Sequence, residues 1–440
     1  MYRHRHGLTE ELPLGRLLLL LAVVSAWRPA LLAQAAPRAD ATPPCVSDPL
    51  HRGPVTAEIN SNKPFAQARI NNSPTLRLLL DTGSAYASID KKLVNALGFH
   101  RRADERYSDS FGKNEVTETT LQPPACEEMA GVKLPNGEIT ALDLAYLSSA
   151  EGFAVDGLLG SDFFNRYIVV IDYPHGTVEV LDSSFEYRGS GIVLPVTIED
   201  GQIFPKAIFR KATGESIEAK LCVDTGARMT LLLTHSFALK NGIMDGRPAV
   251  RKATIGVGFG GETQGALFRL PELALGPLKL RGIPSTVSLQ ENLFASSFPD
   301  VVGIIGGGFL RRCKLFLDYP HKRIVLETTS ESNKPFTFDE TDMFLLAEGM
   351  DFKSIKVLRV IPGSPADAAG IIASDFIESI NGVSAGSFGL ERIRQMFLVD
   401  HQTYRLQVKR DGKILSVVLK TSDLLSTPAA NRVPVPIHSD

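Results

Sequence analysis

Short apolar runs of strand length recur along this chain, each ended by a glycine turn. Leu76-Arg77-Leu78-Leu79-Leu80 stops at Asp81-Thr82-Gly83-Ser84, and Ile217-Glu218-Ala219-Lys220-Leu221-Cys222-Val223 stops in the same way at Asp224-Thr225-Gly226-Ala227. Both read as strands entering sharp turns. Further on, Asp156-Gly157-Leu158-Leu159-Gly160 is echoed by Val302-Gly303-Ile304-Ile305-Gly306. After each comes an aromatic-apolar helix start, then a strand, then the same turn, Asp172-Tyr173-Pro174-His175 and Asp318-Tyr319-Pro320-His321. The offset between echoes is nearly constant, so one unit of about 140 residues is used twice. That period is too long for a solenoid and suits a two-lobed enzyme.

A different pattern begins after the polar stretch Thr328 to Pro335, which reads as a boundary where few contacts cross. The strand Ile355 to Ile361 is followed by Pro362-Gly363-Ser364-Pro365-Ala366, a capped short helix. A second strand then closes on Ile380-Asn381-Gly382, and the helix Leu390 to Phe397 precedes a hairpin around Asp411-Gly412.

The paired Asp-Thr-Gly triplets carry the chemistry. Hydrolysis of a peptide bond needs one group to take a proton from water and another to give one to the carbonyl oxygen. Two carboxyls within hydrogen-bond reach do both, because like charges that close cannot both ionise and the pair holds one proton. Gly83 and Gly226 let each loop turn beside the opposite carboxylate, where a Cβ would clash. Ser84 is able to donate to Asp81, and Ala227 offers Asp224 nothing equivalent. An asymmetric pair follows, with Asp81 the more readily ionised.

On these residues the segment from about 54 to 328 resembles the aspartic proteases of the pepsin and retropepsin type. The resemblance implies that Asp81 and Asp224 are catalytic. It gives Thr82 and Thr225 the role of inward hydroxyls that lock the lobes, and sets Leu158, Leu159, Gly160 and Ile304, Ile305, Gly306 beside the loops. It also implies a covering β-hairpin. The glycine-dense stretch holding Gly256, Gly258, Phe259, Gly260 and Gly261 is the stronger candidate for that flap, and Tyr107 to Asn114 the weaker. Gly256-x-Gly258-x-x-Gly261 also matches a dinucleotide fingerprint, but no helix-period segment follows it.

The carboxy-terminal pattern, residues 340 to 422, resembles a PDZ domain of the bacterial type. That family takes an extended peptide as an added strand. Its carboxylate loop is expected near Met343, Phe344, Leu345 and Leu346, where the usual glycines are absent, and Ser374 replaces the common glycine before Asp375.

Composition narrows the class without changing it. A formal net charge of −2, with no basic run, leaves no footprint for nucleic acid. The basic start and Leu17 to Val24 read as an export signal cleaved near Ala35, which predicts a secreted or periplasmic protein with no stable membrane span. Of the four cysteines, Cys45 and Cys126 form the favoured disulfide pair, while Cys222 reads as a buried apolar residue. No two cysteines sit at zinc-ligand spacing. His175 and His321 read as turn residues, not ligands.

The sequence thus predicts a mainly β, duplicated acid-protease fold followed by a small α+β PDZ domain. The divisions are a signal peptide over 1–35, lobes over 54–190 and 191–328, the PDZ domain over 340–422 and a disordered tail over 423–440. The expected activity is that of an aspartic endopeptidase, without metal or organic cofactor, acting on polypeptide, with a peptide ligand for the PDZ domain. The competing class is a non-catalytic peptide-binding or sensor protein that keeps the fold.

Overall fold

The structure is a computed structural model that describes residues 53–108, 116–122, 125–211, 213–244, 252–258, 261–289, 298–339, 341–423 and 425. The export segment, Cys45, Asp109 to Asn114, Phe259, Gly260 and the end of the tail lie outside the described residues.

The duplication seen in the sequence is a duplication of topology. In the first lobe Leu76–Leu80 runs antiparallel to Lys63–Ile70, with Phe65 opposite Leu79. Gly157–Leu159 lies parallel to Leu76–Leu80, with Leu159 opposite Leu80, and antiparallel to Ala87–Asp90. The second lobe repeats this: Ser216–Asp224 pairs with Gln202–Arg210, and Val301–Gly306 lies parallel to it with Gly306 opposite Asp224. Behind each loop sits an equivalent apolar cluster. Phe65, Leu79, Val155 and Leu158 form it in the first lobe, and Phe204, Cys222, Val301 and Ile304 in the second. Cys222 stands where the first lobe has Leu79, which explains its free, buried thiol.

The lobes are joined by a shared sheet. Ile168–Asp172 pairs antiparallel with Cys313–Asp318, placing Val170 opposite Phe316. Both strands end in the repeated turns, where His175 and His321 bond through Nδ1 to Asp172 and Asp318 at 2.8 and 2.7 Å.

The carboxy-terminal unit is a six-stranded sheet of its own, with a core that includes Ile355, Val357, Ile377, Ile393, Phe397 and Leu406. Asn381-Gly382 and Asp411-Gly412 both take left-handed φ (51° and 83°, 48° and 78°), as tight hairpin turns demand. Ser374 has φ 72°, a conformation that favours glycine.

Three expectations change here. Met343, Phe344, Leu345 and Leu346 are not in a loop but on the strand Met343–Glu348, paired with Ser354–Val360. Met343 and Leu345 point into the PDZ core, while Phe344 packs on the protease core. Nor is the polar stretch a loose boundary. Arg312 donates to the carbonyls of Glu331 and Ser332 at 3.0 and 3.4 Å and lies 3.9 Å from the Phe336 ring centroid. The tail does not begin at 423: Asp423 pairs with Arg269 at 2.7 Å, and Leu425 is buried in the protease core.

Candidate active site: the paired Asp-Thr-Gly loops

Each aspartate ends a central strand whose parallel neighbour is the apolar-Gly segment. The amide of Asp81 donates to the carbonyl of Leu159 at 3.0 Å, and that of Gly307 to the carbonyl of Ala227 at 2.7 Å. These strands are buried and fully paired, so the loop backbone has little freedom. Gly160 is required for that closeness, since a Cβ there would come within 2.4 Å of the Tyr86 carbonyl oxygen.

The two loops interlock through their threonines. The Thr82 amide donates to Thr225 Oγ1 at 3.0 Å, and the Thr225 amide donates to Thr82 Oγ1 at 3.0 Å. Each hydroxyl then donates onward, Thr82 to the Val223 carbonyl at 2.7 Å and Thr225 to the Leu80 carbonyl at 2.6 Å. Both threonines are wholly buried.

The carboxyls face one another across this interlock. Gly83 N–H donates to Asp81 Oδ1 at 2.9 Å and Gly226 N–H to Asp224 Oδ1 at 2.8 Å. A Cβ on Gly226 would lie 2.5 Å from the Asp81 carboxyl carbon, and one on Gly83 would lie 3.0 Å from that of Asp224. Side chains surrounded this closely lose most of their hydration. Burial pushes Asp81 up from the usual carboxylate range, opposed by the Gly83 amide, the Lys63 ammonium and a hydrogen bond from Asp224. Burial together with the charge of Asp81 pushes Asp224 further, to about 8. Asp224 is thus the more strongly raised of the two, and the shared proton belongs to the pair.

The expected asymmetry has its direction from a different source. Ser84 Oγ donates to the Tyr86 carbonyl at 2.9 Å, and only its backbone serves Asp81. The residue that separates the two aspartates is Lys63, which sequence reasoning did not single out. Lys63 opens its strand opposite Asn60, and Gln202 opens the equivalent strand opposite Glu199. One lobe thus has a cation where the other has a neutral amide. Lys63 is buried and paired with Glu151 at 2.6 Å. The same two turns brace the opposite loops: Asn62 Nδ2 donates to the Arg228 carbonyl at 2.9 Å, and Gln202 Nε2 to the Gly83 carbonyl at 3.3 Å. The register of two strand starts was the available signal, and only the turn at Gln202 has a glycine to draw attention to it.

The hairpin candidates both exist as paired strands. Lys252–Gly258 pairs with Gly261–Leu275, with Gly256 opposite Thr263 and Gly258 opposite Gly261; Phe259 and Gly260 at its tip lie outside the described residues. His100–Ser108 pairs with Val116–Gln122 in the first lobe. Among the described residues no group of three or more His, Cys, Asp or Glu is arranged to hold a metal ion.

A two-lobed β fold with one Asp-Thr-Gly loop from each lobe defines an aspartic-type peptidase. Comparison with known families agrees. An aspartyl protease family model matches residues 66–163 and again 211–307, and a PDZ domain model matches 356–410. The protein is an aspartic-type peptidase with a PDZ domain at its carboxy end. Among solved structures it is similar to the aspartic proteinase from Irpex lacteus, at 16% identity and a TM-score of 0.44, over 64% of this chain and 99% of that one. A search of curated proteins found no match.

Proposed function

We propose that this chain is an exported endopeptidase that hydrolyses extended polypeptide through Asp81, Asp224 and a water molecule. The observation that carries the reading is the reciprocal approach of each loop glycine to the opposite carboxyl, which brings the two carboxyls to one place. Asp81, ionised, takes a proton from water as its oxygen attacks the peptide carbonyl carbon, and Asp224 gives its proton to the carbonyl oxygen. Collapse of the tetrahedral diol then breaks the C–N bond, with the proton on Asp81 passing to the departing amine and one diol hydroxyl returning its proton to Asp224. No covalent enzyme intermediate forms.

Export is supported by the amino-terminal pattern and by the disulfide at Cys126, a bond that persists in oxidising compartments. The PDZ domain is the candidate site for a peptide ligand. Incubating the protein with casein and a peptide library, with and without pepstatin, tests the activity. Cleavage stopped by pepstatin is expected, and an intact library would leave a peptide-binding protein as the better reading.

A further inference from the structure

The PDZ unit is wired into the lobe that holds Asp81. Ser61, at the turn between Val55–Asn60 and Lys63–Ile70, donates its amide and hydroxyl to Glu391 Oε2 at 3.1 and 3.3 Å. Arg394, one turn along the helix Leu390–Phe397, donates from Nη1 to Ser61 Oγ at 2.6 Å and from Nη2 to the Leu345 carbonyl at 3.0 Å. On the other side of the turn Glu151 binds Lys63 at 2.6 Å and Asn60 at 2.7 Å. The turn also reaches the second loop, since Asn62 donates to the Arg228 carbonyl and a Cβ on Gly307 would lie 2.0 Å from the Asn62 carbonyl oxygen.

The φ of 49° and 67° at Ser61 and Asn62 is only what a two-residue hairpin turn requires, and one feature marks this as more than packing. Arg394, Glu151 and Lys63 are all buried, and buried charges are tolerated only when paired and hydrogen-bonded. Gly152 packs between strand and helix, where a Cβ would come 2.8 Å from Leu390 Cβ and 3.7 Å from Ala347 Cβ.

We propose that Glu391 and Arg394 of the PDZ helix are positioning residues for peptide hydrolysis: through Ser61 they fix the Asn60–Lys63 turn, which braces the second Asp loop through Asn62 and carries the Lys63 ammonium. This deepens the peptidase reading and rests on it. Lys63 acts on Glu151 from the helix Ala145–Glu151 and on Asp81 from its loop, while the charged groups around Arg394 are Glu151, Glu391 from its own helix, Arg228 from the second loop and Asp339 from the linker. Lys63 favours the ionised form of Asp81. Letting the turn drift therefore moves Asp81 upward.

The test uses the full chain and a fluorogenic peptide too short to reach the PDZ unit, with kcat/KM measured against pH for wild type, Arg394→Met, Arg394→Lys, Glu391→Gln and the exposed-site control Ile414→Ala. Arg394→Met is expected to lower kcat/KM roughly ten- to hundredfold and to move the acid limb to higher pH. Arg394→Lys should recover part of both effects, and Ile414→Ala neither. Thermal unfolding against pH, in Asp81 and Asp81→Asn backgrounds, gives a readout that needs no turnover. The difference between wild type and Arg394→Met should widen as pH rises, and do so only where Asp81 is present. Wild type that cleaves nothing defeats the peptidase reading, and the unfolding data then judge the relay alone. An Arg394→Met profile of wild-type shape, with the same unfolding offset at every pH in both backgrounds, overturns the proposal.

Discussion

Thr82 and Thr225 exchange hydrogen bonds symmetrically, each amide donating to the other's hydroxyl at 3.0 Å. Each hydroxyl therefore accepts from the opposite loop and donates to a carbonyl beside it, leaving no buried polar atom of the four unpaired. Replacing one threonine by valine keeps the volume but strands an amide and a carbonyl in a dry interface, at about 1–3 kcal/mol. Thr82→Val and Thr225→Val should each destabilise the chain by that order, and the double variant by clearly less than the sum. A denaturant double-mutant cycle checks this, and strict additivity would show that the interlock is not one unit.

The aspartates give a second expectation. Asp81→Asn and Asp224→Asn should each cut kcat by at least about 10²-fold, because neither residue alone holds the shared proton. Their stability effects separate them from misfolded variants. The folded-state pKa of Asp224 is raised, to about 8, so the folded chain binds that proton more tightly than the unfolded chain. Stability contributed this way is present below the usual carboxylate range and is lost as pH rises through about 8. Asp224→Asn should remove that loss and flatten the pH dependence of unfolding between those limits. A variant equally pH-sensitive would place the titrating proton elsewhere.

For the native enzyme the same proton sets the alkaline limit. Activity should hold through neutrality and fall as pH rises through about 8, where Asp224 loses the proton it gives to the carbonyl oxygen. A kcat/KM profile on a substrate without ionisable side chains measures it, and a limb already complete by pH 6 would contradict the assignment.

Much of this site was legible because its requirements are local. An Asp-Thr-Gly at the end of an apolar strand, repeated with its apolar-Gly neighbour, constrains backbone, hydroxyl and carboxyl together. The repeat exposes that constraint without any coordinates. Lys63 and Glu151 were not legible, since a lysine opening a strand and a glutamate ending a helix are ordinary surface choices. Their burial depends on the Asn60–Lys63 turn meeting a helix from over 300 residues away, as the Ser61–Glu391 separation of 330 shows. The PDZ pattern was readable for its turns and strands, but nothing in it said which face would be covered.

A buried acid pair outside the site yields a prediction about stability alone. Burial and the neighbouring Asp162 carboxyl push Glu127 well up, and burial pushes Asp162 to about 6. Both are raised, so their contribution is complete at low pH and is lost as pH rises through about 6 and beyond. Glu127→Gln gives Asp162 a permanent amide donor and removes one ionisation. The variant should melt higher than wild type at pH 8 and differ little at pH 4, by calorimetry at both values. A lower melting temperature at pH 8 would mean that the extra proton on the amide clashes with its neighbours.

Truncation after Ser332 distinguishes a recruiting module from a structural one. A boundary over Thr328 to Pro335 where few contacts cross implies that such a chain folds and cleaves short peptides normally. The structure argues otherwise, because Phe336, Phe338, Ile361 and Leu425 all pack on the protease core. Removing them uncovers apolar surface at roughly 25 cal/mol per Å². It also deprives Arg269 of Asp423 and of the Phe336 carbonyl, and leaves Ser61 without Glu391 and Arg394. The truncated chain should therefore unfold at lower denaturant concentration and lose most of its activity on short peptides as well as on casein. Loss confined to large substrates, with the unfolding midpoint unchanged, would return the PDZ unit to a purely recruiting role.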